Sequence, residues 1–301
     1  MSIWIAGAAL LLVALAQQGH EGTRILWDTS VRPASKAPKP AARPIRYKPA
    51  PAPPAPVAVI PGLTQASATS RPEVLGLTFW RLRRASALDD PNTRLLILDE
   101  DSKDEIAYIP ERVEADTPLA EGDRVRVTVE VPRTGYLYVF DREQYGDGKT
   151  SQPYLIYPNY LTRQGDNAVA AGRLIEIPDQ RDRPNHFRVR KSRPDQVSEL
   201  LSVMITPEPL PNLRVGRDPM PVREEQMAEW ENKFHVQAER WEMEGGAGKA
   251  WTPAEKAAGA DPATLLTRDD PAPQTLYRVA AEPGKPMLLK VPIKLDATAR
   301  K

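Results

Sequence analysis

The sequence predicts a mainly β protein: an immunoglobulin-like antiparallel β-sandwich with one long amphipathic helix and a short second helix packed on it. Between about residues 74 and 205, short apolar and β-branched runs alternate with Gly, Pro, Asn and Asp, a pattern typical of a sandwich or barrel. From residue 221 the apolar residues recur at steps of three and four, which indicates a helix.

The run from Arg124 to Val131 is the clearest predicted strand. Its valines alternate with charged or polar residues, so they share one face, as in a half-buried antiparallel strand. The next run, Tyr136–Asp141, is apolar at successive positions and is predicted to be central. Further strands are predicted at 74–82, 94–98, 106–109, 154–157, 172–177, 186–190, 200–205, 274–280 and 286–295.

The long helix is predicted over Pro221–Glu244. Its apolar stripe comprises Met227, Trp230, Phe234, Ala238 and Trp241, and Gly245 with Gly246 would end it. A stripe of this kind usually packs on a core, and we expect it to cover a face or edge of the sandwich. Thr252 and Glu255 have the spacing of a capping box around Pro253, which predicts the short second helix.

Residues 1–16 are predicted to be a signal peptide. An apolar run ends in the small-residue pattern Ala14-Leu15-Ala16, and a helix over residues 3–16 would span only about 21 Å. The segment lacks Lys and Arg, so an apolar helix or strand packed on the domain is the alternative. We therefore expect a periplasmic or secreted protein that contacts the membrane only transiently, through its signal peptide.

Residues 17–72 are predicted to form a disordered, basic, Pro-rich stalk. Proline fixes φ and removes a donor, so the Pro and Ala run over 33–56 favours an extended chain. Seven basic residues and no acidic ones lie between Asp28 and Glu73, which leaves 34 basic against 40 acidic residues elsewhere. Such a stalk serves either as a plain spacer or as a segment that rests on an anionic surface.

The rest of the chain is predicted to comprise two parts. A β-sandwich domain covers 73–220, and a helical segment with closing strands and a charged tail covers 221–301. The absence of cysteine excludes disulfides, thiolate zinc sites and thiol nucleophiles. The exported domain must therefore be stabilised by its hydrophobic core.

A series of motifs between about residues 119 and 213 resembles a bacterial domain-of-unknown-function family, the one numbered 4384. The resemblance rests on Gly122-Asp123, 135–141, 155–159, Asn167 with 171–172, 175–178 and 202–207. The chain looks like a long variant of this family, with flanking N-terminal strands and a C-terminal helix. The resemblance implies an extracytoplasmic β-sandwich appended to diverse partners, and it implies no activity.

No catalytic or metal-binding motif emerges from the sequence. Two stretches, 146–150 and 245–249, partly match a phosphate-binding loop but lack its first glycine, and both are interpreted as turns. The acidic run 99–105 has Lys103 at a calcium-ligand position and is interpreted as a solvated hairpin tip. The histidines are far apart, with His186 expected in a strand and His235 on the long helix. We expect no metal, no cofactor and no nucleic acid.

Seven residues are predicted to form a binding surface. They lie at strand ends or in the loops on either side of strand 154–157, where sandwiches often place recognition residues. Tyr and Arg are favoured anchors, although the same side chains often cap a core. The residues are Asp141, Arg142, Tyr145, Tyr157, Asn159, Tyr160 and Arg163.

The leading functional hypothesis is a non-enzymatic interaction module of the cell envelope, which binds an envelope protein or a cell-wall polymer through these loops. One alternative is a hydrolase of envelope polymers that uses loop carboxylates. Another is a regulatory partner of a secretion or signalling assembly. A hydrolase needs a concave site with a carboxylate of perturbed pKa, whereas a binding module needs only an exposed patch.

Overall fold

The computed structural model describes residues 47–49, 71–98, 104–261, 263–267 and 269–296. The predicted signal peptide, most of the predicted stalk, residues 99–103 and the tail from 297 lie outside these residues. The strands, in chain order, are β1 (Tyr47–Pro49), β2 (Arg71–Arg84), β3 (Leu95–Leu98), β4 (Glu105–Val113), β5 (Arg124–Glu130), β6 (Gly135–Asp141), β7 (Glu143–Tyr145), β8 (Tyr154–Tyr157), β9 (Ala168–Val169), β10 (Leu174–Ile177), β11 (Phe187–Arg188), β12 (Gln196–Thr206), β13 (Met220–Pro221), β14 (Ala238–Met243), β15 (Thr275–Ala281) and β16 (Met287–Lys294). The helices are α1 (Glu224–Phe234) and α2 (Pro253–Ala260).

The described strands form two antiparallel sheets, which confirms the mainly β class. One sheet of nine strands has the order β1-β14-β15-β2-β4-β3, with β5 on the other side of β2 and β10 and β11 beyond β5. The second, of seven strands, has the order β13-β8-β6-β12-β16, with β7 beside β12 and β9 beside β6. The strands β15 and β16 pair with β2 and β12, so both ends of the described chain contribute to the same two sheets.

The main core lies between the sheets. Alternate side chains of facing strands meet there, because successive residues of a strand point to opposite faces. Leu77 and Val129 come from the nine-stranded sheet, and Val139 and Val203 from the other, and all four are buried. The strand β6 lies between β8 and β12, which confirms that it is central.

Each sheet also has a covered outer face. Tyr138 and Phe140 of β6, with Met204, pack against Met227 and Trp230 of α1. On the nine-stranded sheet, Trp80 packs against Trp251, which lies just before α2, with ring centroids 6.1 Å apart. The fold therefore has four layers, with one helix on each outer face.

The predicted half-buried strand β5 is buried on both faces. Val125, Val127 and Val129 face the core, but Arg126 and Thr128 are also buried, at 1% and 3% exposure. The layer that contains α2 covers this second face, where Arg126 pairs with Glu176. The alternation of the two faces was predicted correctly, but the solvent exposure of the charged face was not. In the sequence, a strand whose charged residues form buried ion pairs has the same alternation as a strand with one solvated face.

The long helix of the prediction is wrong: α1 ends at Phe234, and the chain continues into a strand. From His235 to Arg240 the side chains alternate between exposed and half-buried, and β14 pairs with β15. The backbone N–H of Val236 donates to the carbonyl of Leu288, so tertiary pairing replaces helical bonds. The sequence has no Gly or Pro near His235 to mark this end. His235 is therefore at the C-cap of α1 and not on a helix face.

The short helix α2 is confirmed with both arms of its capping box. The hydroxyl of Thr252 accepts the N–H of Glu255, and the Glu255 carboxylate accepts the N–H of Thr252. Near its end, α2 approaches β10 closely at Gly259, where an added Cβ would lie 2.1 Å from Cδ of Glu176. A glycine here lets the helix pack directly over that carboxylate.

The turn interpretation of 146–150 is correct. The N–H of Gly148 donates to the carbonyl of Tyr145, and Gly148 has a φ of 83°, which favours glycine. In the described part of the chain, no helix is both long and apolar enough to cross a bilayer.

Candidate functional site

The structure divides the seven predicted binding residues into two groups at opposite ends of β8. In the antiparallel register Asp141 lies beside Tyr154 and Val139 beside Tyr157. Asp141, Arg142 and Tyr145 are therefore near the start of β8, whereas Tyr157, Asn159, Tyr160 and Arg163 are at or beyond its end. One continuous surface does not include all seven.

The first group faces the interior. Asp141 is fully buried, and Arg142 is 7% exposed. The Arg142 guanidinium donates two hydrogen bonds of 2.8 Å to the Glu224 carboxylate, which joins the end of β6 to the first turn of α1. The Tyr145 hydroxyl donates to Glu143. These contacts tie β6, β7 and α1 together, and they leave Asp141 and Arg142 out of reach of an external partner.

Asp141 belongs to a buried acidic cluster with Glu143 and Glu199. Burial, and then the charges of Asp141 and Glu143, raise the pKa of Glu199 well above its usual range. Gln196 donates to Glu199 at 2.7 Å, and Ser192 donates to Glu143. Within the described residues, no group of three or more His, Asp or Glu has an arrangement that could hold a metal ion.

In the second group, three of the four residues stabilise their own loop. The buried Tyr157 hydroxyl accepts from Arg163 and donates to the carbonyl of Asp166, each at 3.2 Å, and burial raises the pKa of Tyr157 to about 12. The Asn159 side chain accepts the N–H groups of Leu161 and Thr162, both at 2.9 Å, which closes a turn. Only Tyr160 is largely exposed, at 56%.

A pocket opens beside this loop. Its volume is about 70 Å³, and three chain segments supply its walls: the turn after β8, the loop from β10 to β11, and residues 217–219. The N–H of Tyr160 donates to the carbonyl of Gly216 at 2.8 Å, which fixes the first segment against the third. The lining residues are Ile156, Asn159, Leu161, Thr162, Ile177, Pro178, Asp182, Pro184, Phe187, Arg217, Asp218 and Pro219.

Asp182 is the acidic group at the buried side of this pocket, with 5% exposure. Its Oδ2 accepts the Thr162 hydroxyl and, at 2.8 Å, the N–H of Asp179. Burial raises the pKa of Asp182 to about 7 despite these two hydrogen bonds, and the Asp179 charge adds to the shift. At neutral pH this carboxyl is therefore present in both protonation states, a property that clusters at functional sites.

Behind the pocket, a buried polar network connects it to α2. Arg126 donates to Glu176 at 2.9 Å and to the carbonyls of Pro178 and Asn185. Burial raises the pKa of Glu176 to about 7, and the Arg126 charge opposes this shift. Gln180 links Glu176 to the carbonyl of Lys256 in α2. This network holds the loop from β10 to β11 in place, since most of its polar groups are paired inside the protein.

His186 lies in the same loop, just before β11 and not within it. It is 1% exposed. Burial and the neighbouring arginines Arg124, Arg126 and Arg188 lower its pKa to about 3. His186 is therefore neutral near pH 7.

Asp182, Thr162 and Arg217 were not predicted from the sequence. The one available signal was Asp179-Gln-Arg-Asp182, a polar run directly after the apolar strand β10. Such runs are ordinary in loops. The third wall, at residues 217–219, is 35 residues further along the chain, so no local motif joins it to Asp182.

Comparison with known proteins identifies one family. No curated protein and no solved structure matches this chain. Residues 118–202 match the family described as Domain of unknown function (DUF4384). The match extends from just before β5 into β12 and includes Thr162 and Asp182. The resemblance predicted over about residues 119–213 is thereby confirmed for residues 118–202, which are similar to this family.

Proposed function

We propose that this protein is a non-enzymatic interaction module of the cell envelope, which binds a protein or polymer partner through the pocket at the end of β8. The observation that carries this proposal is the pocket itself: three chain segments converge on a buried carboxyl, with the exposed Tyr160 between two lining residues. In this proposal the immunoglobulin-like sandwich is a rigid support for the loops.

The size of the pocket favours recognition of one group of a larger partner. Pockets for small molecules usually have volumes of about 300–1,000 Å³, and this one has about 70 Å³. A single side chain or a terminal group fits such a space, while the rest of the partner would lie on the surrounding loops. Arg217 lines the pocket, and the exposed Tyr160 lies between two lining residues in the chain; both are residue types common at interface hot spots.

Export belongs to the same proposal. A signal peptide over residues 1–16 would place the domain in the periplasm or outside the cell. The basic stalk predicted over 17–72, of which 47–49 and 71–72 pair in the nine-stranded sheet, would separate the domain from the point where the chain is attached. The partner is then an envelope protein, a cell-wall polymer or a component of a secretion or signalling assembly.

Affinity capture from an envelope extract tests the binding function. The full-length chain is compared with the double variant Tyr160→Ala/Arg217→Ala and with Leu88→Ala, a control at a 97% exposed apolar residue outside the pocket lining. We expect the wild type and the control to capture the same partner and the double variant to lose it. Equal capture by all three would show that the pocket is not the binding surface. A variant without residues 30–46, which keeps β1 and β2, separates any contribution of the stalk that precedes β1.

One observation favours a second candidate, a carboxylate-dependent hydrolase of envelope polymers. Asp182 lies in a concave site and has a pKa raised to about 7. Asp218 also lines the pocket, so two carboxyl groups are present. The test is release of soluble fragments from purified cell-wall polymer by the wild type and by Asp182→Asn. Release by the wild type alone would establish the hydrolase, and no release by either would exclude it for that polymer.

A further inference from the structure

We infer that the pocket receives a cationic group of the partner, a primary ammonium or a guanidinium at the end of an alkyl stem, and that Asp182 is its counter-ion. This inference rests on the proposed binding function, because it names the chemistry that the same pocket would recognise.

The first step concerns the two oxygens of Asp182. Both hydrogen bonds that this carboxyl accepts, from Thr162 and from the N–H of Asp179, arrive at Oδ2. Oδ1 accepts none from a described residue. It is also not one of the fully buried side-chain atoms that lack a hydrogen-bond partner, so part of its surface is accessible. A carboxylate has room for about four hydrogen bonds, so Oδ1 can accept a donor that enters the pocket.

The second step concerns the charges around Asp182. Arg181 makes a two-point contact with Asp179, at 2.9 and 2.7 Å, and Arg126 is paired with Glu176. The exposed Arg181 and the buried Arg126 are therefore each committed to another carboxylate. Neither guanidinium donates a hydrogen bond to Asp182, so when this carboxyl is ionised a cation in the pocket could pair with it.

At the opening, Arg217 and Asp218 carry opposite charges and offset each other. Asp182 is the buried carboxyl of the lining, and burial raises its pKa to about 7. A cationic group that entered would stabilise the ionised form and return this pKa toward its usual value.

The third step concerns the walls, which are mostly apolar. Ile156, Leu161, Pro184, Phe187 and Pro219 line the pocket together with Asp182. Lysine and arginine bury their methylene groups along such surfaces while the charged head meets a polar partner. The combination of apolar walls with one buried carboxyl, Asp182, fits an alkyl ammonium or an alkyl guanidinium better than a sugar hydroxyl or an anion.

Three small probes of equal length test this inference on the full-length chain at pH 8. Butylammonium, butanol and butyrate are titrated, and binding is followed by NMR chemical shifts of the pocket residues. We expect butylammonium to bind at least about tenfold more tightly than butanol, and butyrate not to bind. Below pH 7 the affinity for butylammonium should fall about tenfold per pH unit, because Asp182 must be ionised.

Substitution then assigns the effect to one residue. Asp182→Asn keeps acceptors for Thr162 and the N–H of Asp179 but removes the charge, so it should abolish the preference for butylammonium. Asp195→Asn, an exposed carboxylate paired with Arg193 outside the pocket, should retain the preference. The comparison of probes on the wild-type chain needs no variant, so the inference stays testable even if Asp182→Asn folds poorly.

Equal binding of butanol and butylammonium, or no binding of butylammonium, would overturn the inference. Neither result would affect the proposed function, which fails separately if the double variant Tyr160→Ala/Arg217→Ala captures the partner as the wild type does.

Discussion

Glu199 shows how a single residue makes stability depend on pH. It is 1% exposed, and Asp141 and Glu143 lie close enough to add to the effect of burial on its pKa. The folded state therefore keeps the Glu199 proton at a pH where the unfolded chain, with an ordinary glutamate pKa, has released it. Because the folded state binds more protons, stability is greatest below the unfolded pKa and falls as the pH rises toward the folded pKa.

Glu199→Gln should reduce this loss of stability. Glutamine keeps the shape of the protonated side chain and does not ionise, so the free energy of unfolding should fall less between about pH 5 and pH 8 than in the wild type. Urea titrations at several pH values measure this slope. Glu229→Gln, at an exposed position on α1, is the matched control and should leave the slope unchanged. If the free energy of unfolding of Glu199→Gln changed with pH as steeply as that of the wild type, the Glu199 carboxyl would not be protonated in the folded state.

At the scale of elements, the two helices are stabilised mainly by the sheets that they cover. The helix α1 has two buried side chains, Met227 and Trp230, and both contact the outer face of the seven-stranded sheet. The helix α2 has eight residues, shorter than an isolated helix needs for stability in water. Its contacts with β10, through Gly259 and Glu176, and the capping box hold it in place.

Gly259→Ala should therefore destabilise the protein, although the same change at an exposed helical site usually stabilises it. The added Cβ would meet Glu176, which Arg126 and Gln180 hold in position, so the overlap cannot be relieved cheaply. Overpacking of this kind costs about 1–3 kcal/mol. Denaturant unfolding of the variant measures the loss.

A second background makes the reason for this loss testable. The variant Glu176→Ala lacks the side chain that an added Cβ at residue 259 would meet. The double variant Glu176→Ala/Gly259→Ala should therefore be as stable as Glu176→Ala or about 1 kcal/mol more stable, as helix propensity predicts. Equal losses in both backgrounds would show that the contact with Glu176 is not the cause.

The elements themselves were largely predictable, and the pocket was not. Alternation and turn residues located β5, β6, β8 and the closing strands, because strand periodicity is a local property. The end of α1 was missed because pairing of β14 with β15 depends on residues 275–281, and the burial of Arg126 was missed because Glu176 lies 50 residues away. The walls of the pocket likewise come from three separate segments, so only the fold brings Asp182 to the loop that follows β8.

At the scale of the whole molecule, the family match covers only part of the two sheets. Residues 118–202 include β5 to β11 and part of β12. They omit β2, which pairs with β5, and β16, which pairs with β12. They also omit α1, which covers Tyr138 and Phe140 on the outer face of the second sheet.

A fragment of residues 118–202 should therefore fail to fold cooperatively, whereas a fragment of residues 71–296 should unfold in one transition close to that of the full-length chain. The short fragment leaves two strands without their neighbours and an apolar face exposed, and such strand edges favour aggregation. Urea unfolding followed by circular dichroism, with dispersion of NMR amide signals, distinguishes the two cases. A sharp transition and dispersed signals in the short fragment would show that the matched residues fold alone and that the flanking strands and helices are additions to a complete domain.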